Sequence, residues 1–124
     1  AQRLLRRVCS QCAKPRAVTD EEAAWLERAG RDDPRRLLIY EGEGCRACEQ
    51  SGYSGRVGLF EMVELDAGMR EALRRGDIAD FSRLAHESPT YTPMADSAIS
   101  FVEQGVTNVA EVIRVLGEII GMER

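Results

Sequence analysis

Four cysteines are the residues of this chain whose type and spacing could support chemistry. They form two C-x-x-C pairs, Cys9 with Cys12 and Cys45 with Cys48, and residues 13–44 lie between the pairs. A C-x-x-C turn brings two thiolates together, and two such turns supply the four soft ligands that a tetrahedral ion needs. With no cysteine left over, the pattern favours a zinc site formed by these four side chains.

Other chemistries use the same residues. A disulfide would need an oxidising compartment, and the chain carries no sign of secretion. A redox-active C-x-x-C is usually a single pair on a βαβ unit, a pattern that is absent here. An iron–sulfur cluster also takes four thiolates, and the sequence leaves it open, although separated C-x-x-C turns favour zinc. Because four sulfur ligands leave no open coordination position, we expect a structural metal and not a catalytic one.

The remaining residues predict no catalytic group and no cofactor-binding group. His86 is the only histidine, and no cysteine or serine in a suitable pattern accompanies it. The chain has no G-x-x-x-x-G-K-[ST] phosphate loop. Its many carboxylates fall at positions typical of helix caps and solvated faces. We therefore do not expect this chain to be an enzyme by itself.

Composition sets broad limits on the protein class. The 124 residues suit one domain or two very small ones, and 44% hydrophobic content is typical of a globular protein. The net charge of −4 argues against nucleic acid as the main partner, although residues 1–16 contain basic side chains and no acid. No apolar run is long enough to span a bilayer, and residues 1–8 lack the apolar core of a signal peptide.

The elements that position the cysteines can be predicted from local patterns. Residues 1–8 resemble the last turns of a basic helix that begins in a preceding part of a longer chain. Thr19 and Glu22 form a capping box that predicts a helix from Asp20 to Ala29, with Trp25 and Leu26 facing inward. Gly30 follows at the position where a helix commonly ends.

Two apolar runs, residues 37–40 and 57–63, flank the second cysteine pair and predict two strands. Gly44 and Gly52 lie on either side of that pair, where we expect tight turns around the sulfurs. Strand, cysteine turn and strand together predict a small antiparallel unit.

Four short helices are predicted after residue 65. Their capping residues are Asp66, Asp77, Thr92 and Thr107. The last helix carries an apolar stripe at Val109, Val112, Ile113, Leu116 and Ile120. The predicted fold class is α+β and mostly helical. Residues 1–8 form a helix end, residues 9–63 a tetracysteine subdomain with a strand pair, and residues 64–124 a compact four-helix subdomain.

Three stretches together resemble the C-terminal region of the type II secretion and type IV pilus assembly ATPases. They are AQRLLRRVCSQC, GCRACEQSGYSGRVGLFEMV and GVTNVAEVIRV. The second stretch matches the family pattern at Gly52, Tyr53, Gly55, Arg56, Gly58 and Glu61. The third matches it at Gly105, Val106, Thr107, Glu111 and Val112.

The resemblance implies a structural zinc ion on Cys9, Cys12, Cys45 and Cys48. It also implies that the parent protein is a cytoplasmic homohexamer that hydrolyses ATP with Mg²⁺ and docks on inner-membrane platform proteins. The nucleotide-binding motifs of that family lie upstream of the matched region, so the resemblance assigns ATP and Mg²⁺ to no residue here. Met94-Ala95-Asp96-Ser97 departs from the family, which usually has Asp-Gly after the methionine.

An alternative reading is a free-standing zinc-knuckle module that binds protein or nucleic acid. The stretch Cys45–Gly52 also resembles one knuckle of the Hsp40 chaperones, and the basic residues 1–16 would serve a nucleic-acid contact.

Overall fold

A computed structural model describes residues 2–117 as a mixture of strands and helices. The strands are β1 (Gln2–Val8), β2 (Ala13–Ala17), β3 (Leu38–Gly42) and β4 (Tyr53–Phe60). The helices are α1 (Asp20–Arg28), α2 (Ala67–Arg74), α3 (Ile78–Glu87), α4 (Met94–Glu103) and α5 (Val109–Leu116), and a 3₁₀ turn covers Pro34–Arg36. The predicted α+β class is confirmed, with four helices following the strands.

The strands form two antiparallel pairs, β1 with β4 and β2 with β3. The prediction of strands on both sides of the second cysteine pair is confirmed, but their predicted pairing with each other is wrong. Each cysteine turn instead joins one pair to the other, the first between β1 and β2 and the second between β3 and β4. The partners of β3 and β4 are β2 and β1, which lie in the N-terminal segment. Local patterns do not reveal such a long-range pairing.

Residues 2–8 form a strand, so the helix predicted for residues 1–8 is wrong over the part that the structure describes. Leu5 and Val8 are both buried, three residues apart, which is the spacing of a helix face. In a regular strand these two side chains would point to opposite faces. The register of β1 against β4 shifts between Arg6 and Val8, with one extra residue in β4, so the pairing is irregular where Val8 is buried.

Helix α1 has the predicted cap and the predicted buried face. The Thr19 hydroxyl accepts from the Glu22 N–H at 3.2 Å, and the Glu22 carboxylate accepts from the Thr19 N–H at 2.9 Å. Trp25 and Leu26 are buried, and Gly30 has a φ of 90° just after the helix. Asp66 and Asp77 cap α2 and α3 as predicted.

The predicted caps of the last two helices are each one residue early. Pro93 precedes the first residue of α4, because the Thr92 N–H donates to the Met62 carbonyl and keeps Thr92 extended. Asn108 caps α5, and the Thr107 hydroxyl donates to the Arg6 carbonyl instead.

One hydrophobic core joins α1, α4 and α5 to the inner faces of the strands. Its members include Leu5, Trp25, Leu26, Ile39, Leu59, Ile99, Val102 and Val112. Of the stripe predicted for the last helix, Val109, Val112 and Leu116 are buried but Ile113 is exposed, while Ile120 lies outside the described residues. The core includes residues from both sides of residue 63, and the subdomain boundary predicted there stays a prediction.

Neighbouring residues of β3 provide a matched test of this core. Ile39 is fully buried and Leu38 is half exposed. Ile39→Ala is expected to lower the free energy of unfolding by about 2–5 kcal/mol, since it removes buried methyl groups and leaves a cavity. Leu38→Ala is expected to cost about 1 kcal/mol or less. Urea denaturation measures both, and equal losses would contradict the assignment of inner and outer faces on β3.

Candidate metal centre

The two cysteine turns meet at one point between the two strand pairs. The Sγ atoms of Cys9, Cys12, Cys45 and Cys48 all lie within 4.8 Å of one another. Cys9 and Cys48 are buried, whereas Cys12 and Cys45 are partly exposed. The structure thus brings together all four residues that the sequence singled out, and the four cysteines could hold a metal ion.

The spacing of the sulfurs suits a single tetrahedral ion. Three Sγ–Sγ distances are 3.7 Å (Cys45–Cys48), 3.8 Å (Cys9–Cys45) and 3.9 Å (Cys12–Cys48). A tetrahedron with metal–sulfur bonds of about 2.3 Å has edges of about 3.8 Å. A disulfide needs about 2.05 Å, and all four cysteines are free. The donor set and its geometry therefore fit a bound cation.

Backbone N–H groups point at the sulfurs and favour their thiolate form. Gly44 donates to Cys12 Sγ at 3.4 Å, and Gly52 donates to Cys48 Sγ at 3.2 Å. Both glycines have positive φ, 99° and 84°, as the predicted tight turns require. Gly52 also lies directly against Gly42, where a Cβ on residue 42 would overlap the Gly52 backbone. Sequence reasoning missed Gly42, since a glycine at the end of a strand carries no signal of such an approach.

The thiols do not ionise equally. Burial raises the pKa of Cys12 to about 12, and the neighbouring thiols add to this rise. Burial acts in the same direction on Cys48, but the N–H donors of Cys45 and Gly52 outweigh it and lower the pKa to about 6. A cation at the centre would stabilise the thiolate form of all four side chains.

A buried carboxylate holds β1, the strand that leads into Cys9. Glu111 is buried in α5 and accepts from the backbone N–H of Arg6 at 2.8 Å and from its Nε at 3.0 Å. Arg114 Nε donates to the same carboxylate at 2.7 Å. Burial alone would raise the pKa of Glu111, but these arginines lower it to about 2. Glu111 is therefore a fully paired buried anion that ties the last helix to the first strand.

The loop before α5 holds the chain on both sides of the second cysteine turn. The Asn108 Oδ1 accepts from the Tyr53 hydroxyl at 3.1 Å, and its Nδ2 donates to the Tyr40 carbonyl at 3.4 Å. Tyr40 precedes Cys45 and Tyr53 follows Cys48. On the first turn, the Val8 N–H donates to the Val106 carbonyl at 2.9 Å. We call residues 106–111, which comprise this loop and the first residues of α5, the clamp loop, because they contact the strands that carry both cysteine turns.

Sequence reasoning noted Tyr53 and Glu111 as motif positions without a role, and it predicted Thr107 only as a helix cap. Asn108 and Glu111 have the spacing of a capping box, which could have indicated the true start of α5. The Glu111 side chain does not reach back to the cap, however. It crosses to Arg6, and no local pattern signals that contact.

The Glu111 network predicts a pH-dependent contribution to stability. Because folding lowers the pKa of Glu111 from 4.5 to about 2, its stabilisation is present above pH 4.5 and is lost as the pH falls toward 2. Near neutral pH, Glu111→Gln is expected to cost about 2–3 kcal/mol. The difference in the free energy of unfolding between Glu111→Gln and the unchanged chain should shrink as the pH falls through this range, as measured by urea titrations. Glu27→Gln, an exposed control, should have the same free energy of unfolding as the unchanged chain. A difference for Glu111→Gln that is constant with pH would contradict the stabilising role of the Glu111 carboxylate.

The clamp loop predicts that residues remote from the sulfurs affect metal binding. Asn108→Ala removes both contacts that flank the second cysteine turn, so Zn²⁺ should bind about tenfold more weakly, as when outer-shell partners are lost elsewhere. Gln104→Ala, on the exposed end of α4, is the control and should bind normally. Chelator competition measures both, with folding followed by circular dichroism. Equal Zn²⁺ affinities of Asn108→Ala and Gln104→Ala, with both variants folded, would refute the coupling between the clamp loop and the metal site.

Comparisons with known proteins indicate the family of this chain. A family model described as "Type II/IV secretion system protein" matches residues 1–114. The chain is 34% identical over 118 residues to type II secretion system protein E of Pseudomonas aeruginosa, and 31% identical over 118 residues to type II secretion system ATPase E of Vibrio cholerae. It is 32% identical over 115 residues to the type IV pilus assembly ATPase PilB of Myxococcus xanthus.

These alignments cover 91–95% of this chain but only 20–23% of each relative. The chain therefore spans between a fifth and a quarter of the length of these relatives. In the part of the chain that the structure describes, no helix has the length and apolar character needed to cross a membrane. The family match, the aligned relatives and the clustered cysteines agree with the resemblance found in the sequence, and the chain belongs to the type II/IV secretion system protein family.

Proposed function

We propose that this chain is a non-catalytic, zinc-stabilised part of an ATPase that drives type II secretion or type IV pilus assembly. The observation that carries the proposal is the meeting of four Sγ atoms within 4.8 Å in a chain of this family. Two of the relatives named above are ATPases, one of type II secretion and one of type IV pilus assembly, and hydrolysis of ATP with Mg²⁺ would belong to the remainder of such a protein.

Zinc suits the site better than the other metals that bind thiolates. The sulfurs are close enough for one ion at their centre, whereas a cluster needs room for its own irons and sulfides between the ligands. Zinc accepts four thiolates in a tetrahedron without redox chemistry. With every position occupied by sulfur, the ion would serve structure and would not activate water.

The zinc ion would fix the angle between the two strand pairs. Each cysteine turn connects β1 or β4 of one pair to β2 or β3 of the other, so one ion would join all four strands. A rigid junction of this kind can present a constant surface to other proteins. In the assembled machine, these would be neighbouring subunits of a homohexamer and inner-membrane platform proteins, at the cytoplasmic side.

The alternative of a nucleic-acid-binding knuckle has weaker support than the proposed function. It rested on the basic residues 1–16, but Arg6, Lys14 and Arg16 form ion pairs within the chain. Their acceptors are Glu111, Glu43 and Glu22. Three of the five cations in residues 1–16 are therefore partly neutralised, which leaves less free charge for a phosphate backbone.

Metal analysis and cobalt substitution test the proposal. The purified chain should contain about one zinc per molecule, because four ligands make one closed site. Replacement by Co²⁺ should give the absorption of a tetrahedral thiolate complex. Cys45→Ser should lose metal and protection from hydrogen exchange around both cysteine turns, since metal binding contributes folding free energy. Arg46→Ala, in the same turn, should keep the metal. Iron in place of zinc, or disulfides without metal, would overturn the proposal.

A further inference from the structure

The outer face of the β1–β4 pair combines positive charge with exposed apolar side chains. Opposite residues of the two strands are Arg6 and Arg56, Leu4 and Gly58, and Gln2 and Phe60. Directly opposite residues of an antiparallel pair share a face. The intervening Leu5 and Leu59 are fully buried, so their neighbours along each strand point away from the core. We call Leu4, Arg6, Arg56, Gly58 and Phe60 the outer face.

One end of the outer face is cationic. Arg6 and Arg56 stand directly opposite each other, an arrangement of like charges that destabilises a strand pair. With Arg114 they line an open cavity of about 600 Å³, and the residues that line it include no acid. Within residues 2–117, Arg56 has no ion-pair or hydrogen-bond partner in its side chain. The cavity thus carries positive charge that this part of the chain does not neutralise.

Two of these guanidinium groups are held in place. Arg6 and Arg114 each bond Glu111 through Nε and Nη2, and Glu111 is buried beneath them. The Arg6 guanidinium also stacks over the Tyr53 ring, with Cζ 4.1 Å from the ring centre. Because both groups are already oriented, little side-chain freedom would be lost when an anion binds them.

The other end of the outer face is apolar and open. Leu4 is 48% exposed and Phe60 is 49% exposed. The Phe60 ring lies over Gly58, where a larger side chain would collide with it. A small apolar surface therefore continues from the cationic cavity along the same two strands.

We propose that the outer face binds an acidic segment of a partner protein. Carboxylates of the segment would pair with Arg56 and with the free edges of Arg6 and Arg114, and an adjacent apolar side chain would cover Leu4 and Phe60. Planar guanidinium groups match carboxylates in a bidentate geometry. The carboxylates would also relieve the repulsion between Arg6 and Arg56. The inference names the partner chemistry for the contact role proposed above, and it rests on that role.

An extended polypeptide fits both ends of the face. A strand advances about 3.3 Å per residue, so a few residues would reach from the cavity to Phe60. A free inorganic anion would occupy the cationic end alone. A membrane surface fits the face less well, because the cavity is concave and two of its three cations are bound to a buried carboxylate.

Selection from a phage library of random peptides of about ten residues tests this inference on the zinc-loaded chain. The selected peptides should be rich in aspartate and glutamate next to apolar residues. Arg56→Glu should weaken binding of a selected peptide by about tenfold or more, because it reverses the unpaired charge. Arg28→Glu, an equal charge change on the exposed side of α1, should leave binding unchanged. Metal content is measured in every sample.

The outcomes separate this inference from the proposed function. Selected peptides without acidic enrichment, or acidic peptides insensitive to Arg56→Glu, would overturn it while zinc is still bound. Binding to phosphatidylglycerol vesicles that Arg56→Glu abolishes, with no peptide selected, would also overturn it and assign the face to a membrane surface. A chain that holds no zinc would instead refute the proposed function.

Discussion

The convergence of four thiols constrains the whole arrangement of strands. Each cysteine turn leaves one strand pair and enters the other, so the pairs can form together only when the turns meet. Without a cation, this junction would hold the Cys12 thiol, whose pKa is raised by burial and by the neighbouring thiols. A bound metal would remove that cost and would close the long segment of residues 13–44, which suits a small chain with a modest core.

The clamp loop extends this constraint to the far end of the chain. Glu111 bonds the backbone and the guanidinium of Arg6, more than a hundred residues away in sequence, and Asn108 bonds the chain on both sides of the second cysteine turn. The helix that carries Glu111 contributes Val109 and Val112 to the same core as Leu5 and Leu59. The strands that carry the cysteine turns and helix α5 are therefore joined by a shared hydrophobic core and by a buried ion network.

The same arginines serve the interior and the surface. Arg6 and Arg114 each direct one edge of the guanidinium to Glu111 and leave the other edge at the outer face. Burial of Glu111 makes this possible, since a buried carboxylate needs paired cations and those cations can still reach solvent. A structural network that stabilises the fold thus also positions charge on a surface suited to a partner.

The sequence by itself determined the local chemistry: the four ligands, the capping box of α1, the turns at Gly44 and Gly52, and the family to which the motifs point. These features depend on residues a few positions apart, where side chain and backbone meet in any context. Only the tertiary structure decided which strands pair, that residues 2–8 extend, and that Glu111 meets Arg6. In each case the deciding contact joins distant parts of the chain, and the strand β1 has buried residues at the spacing of a helix face. Local spacing cannot distinguish such alternatives, because the energy that separates them comes from burial against partners far along the chain.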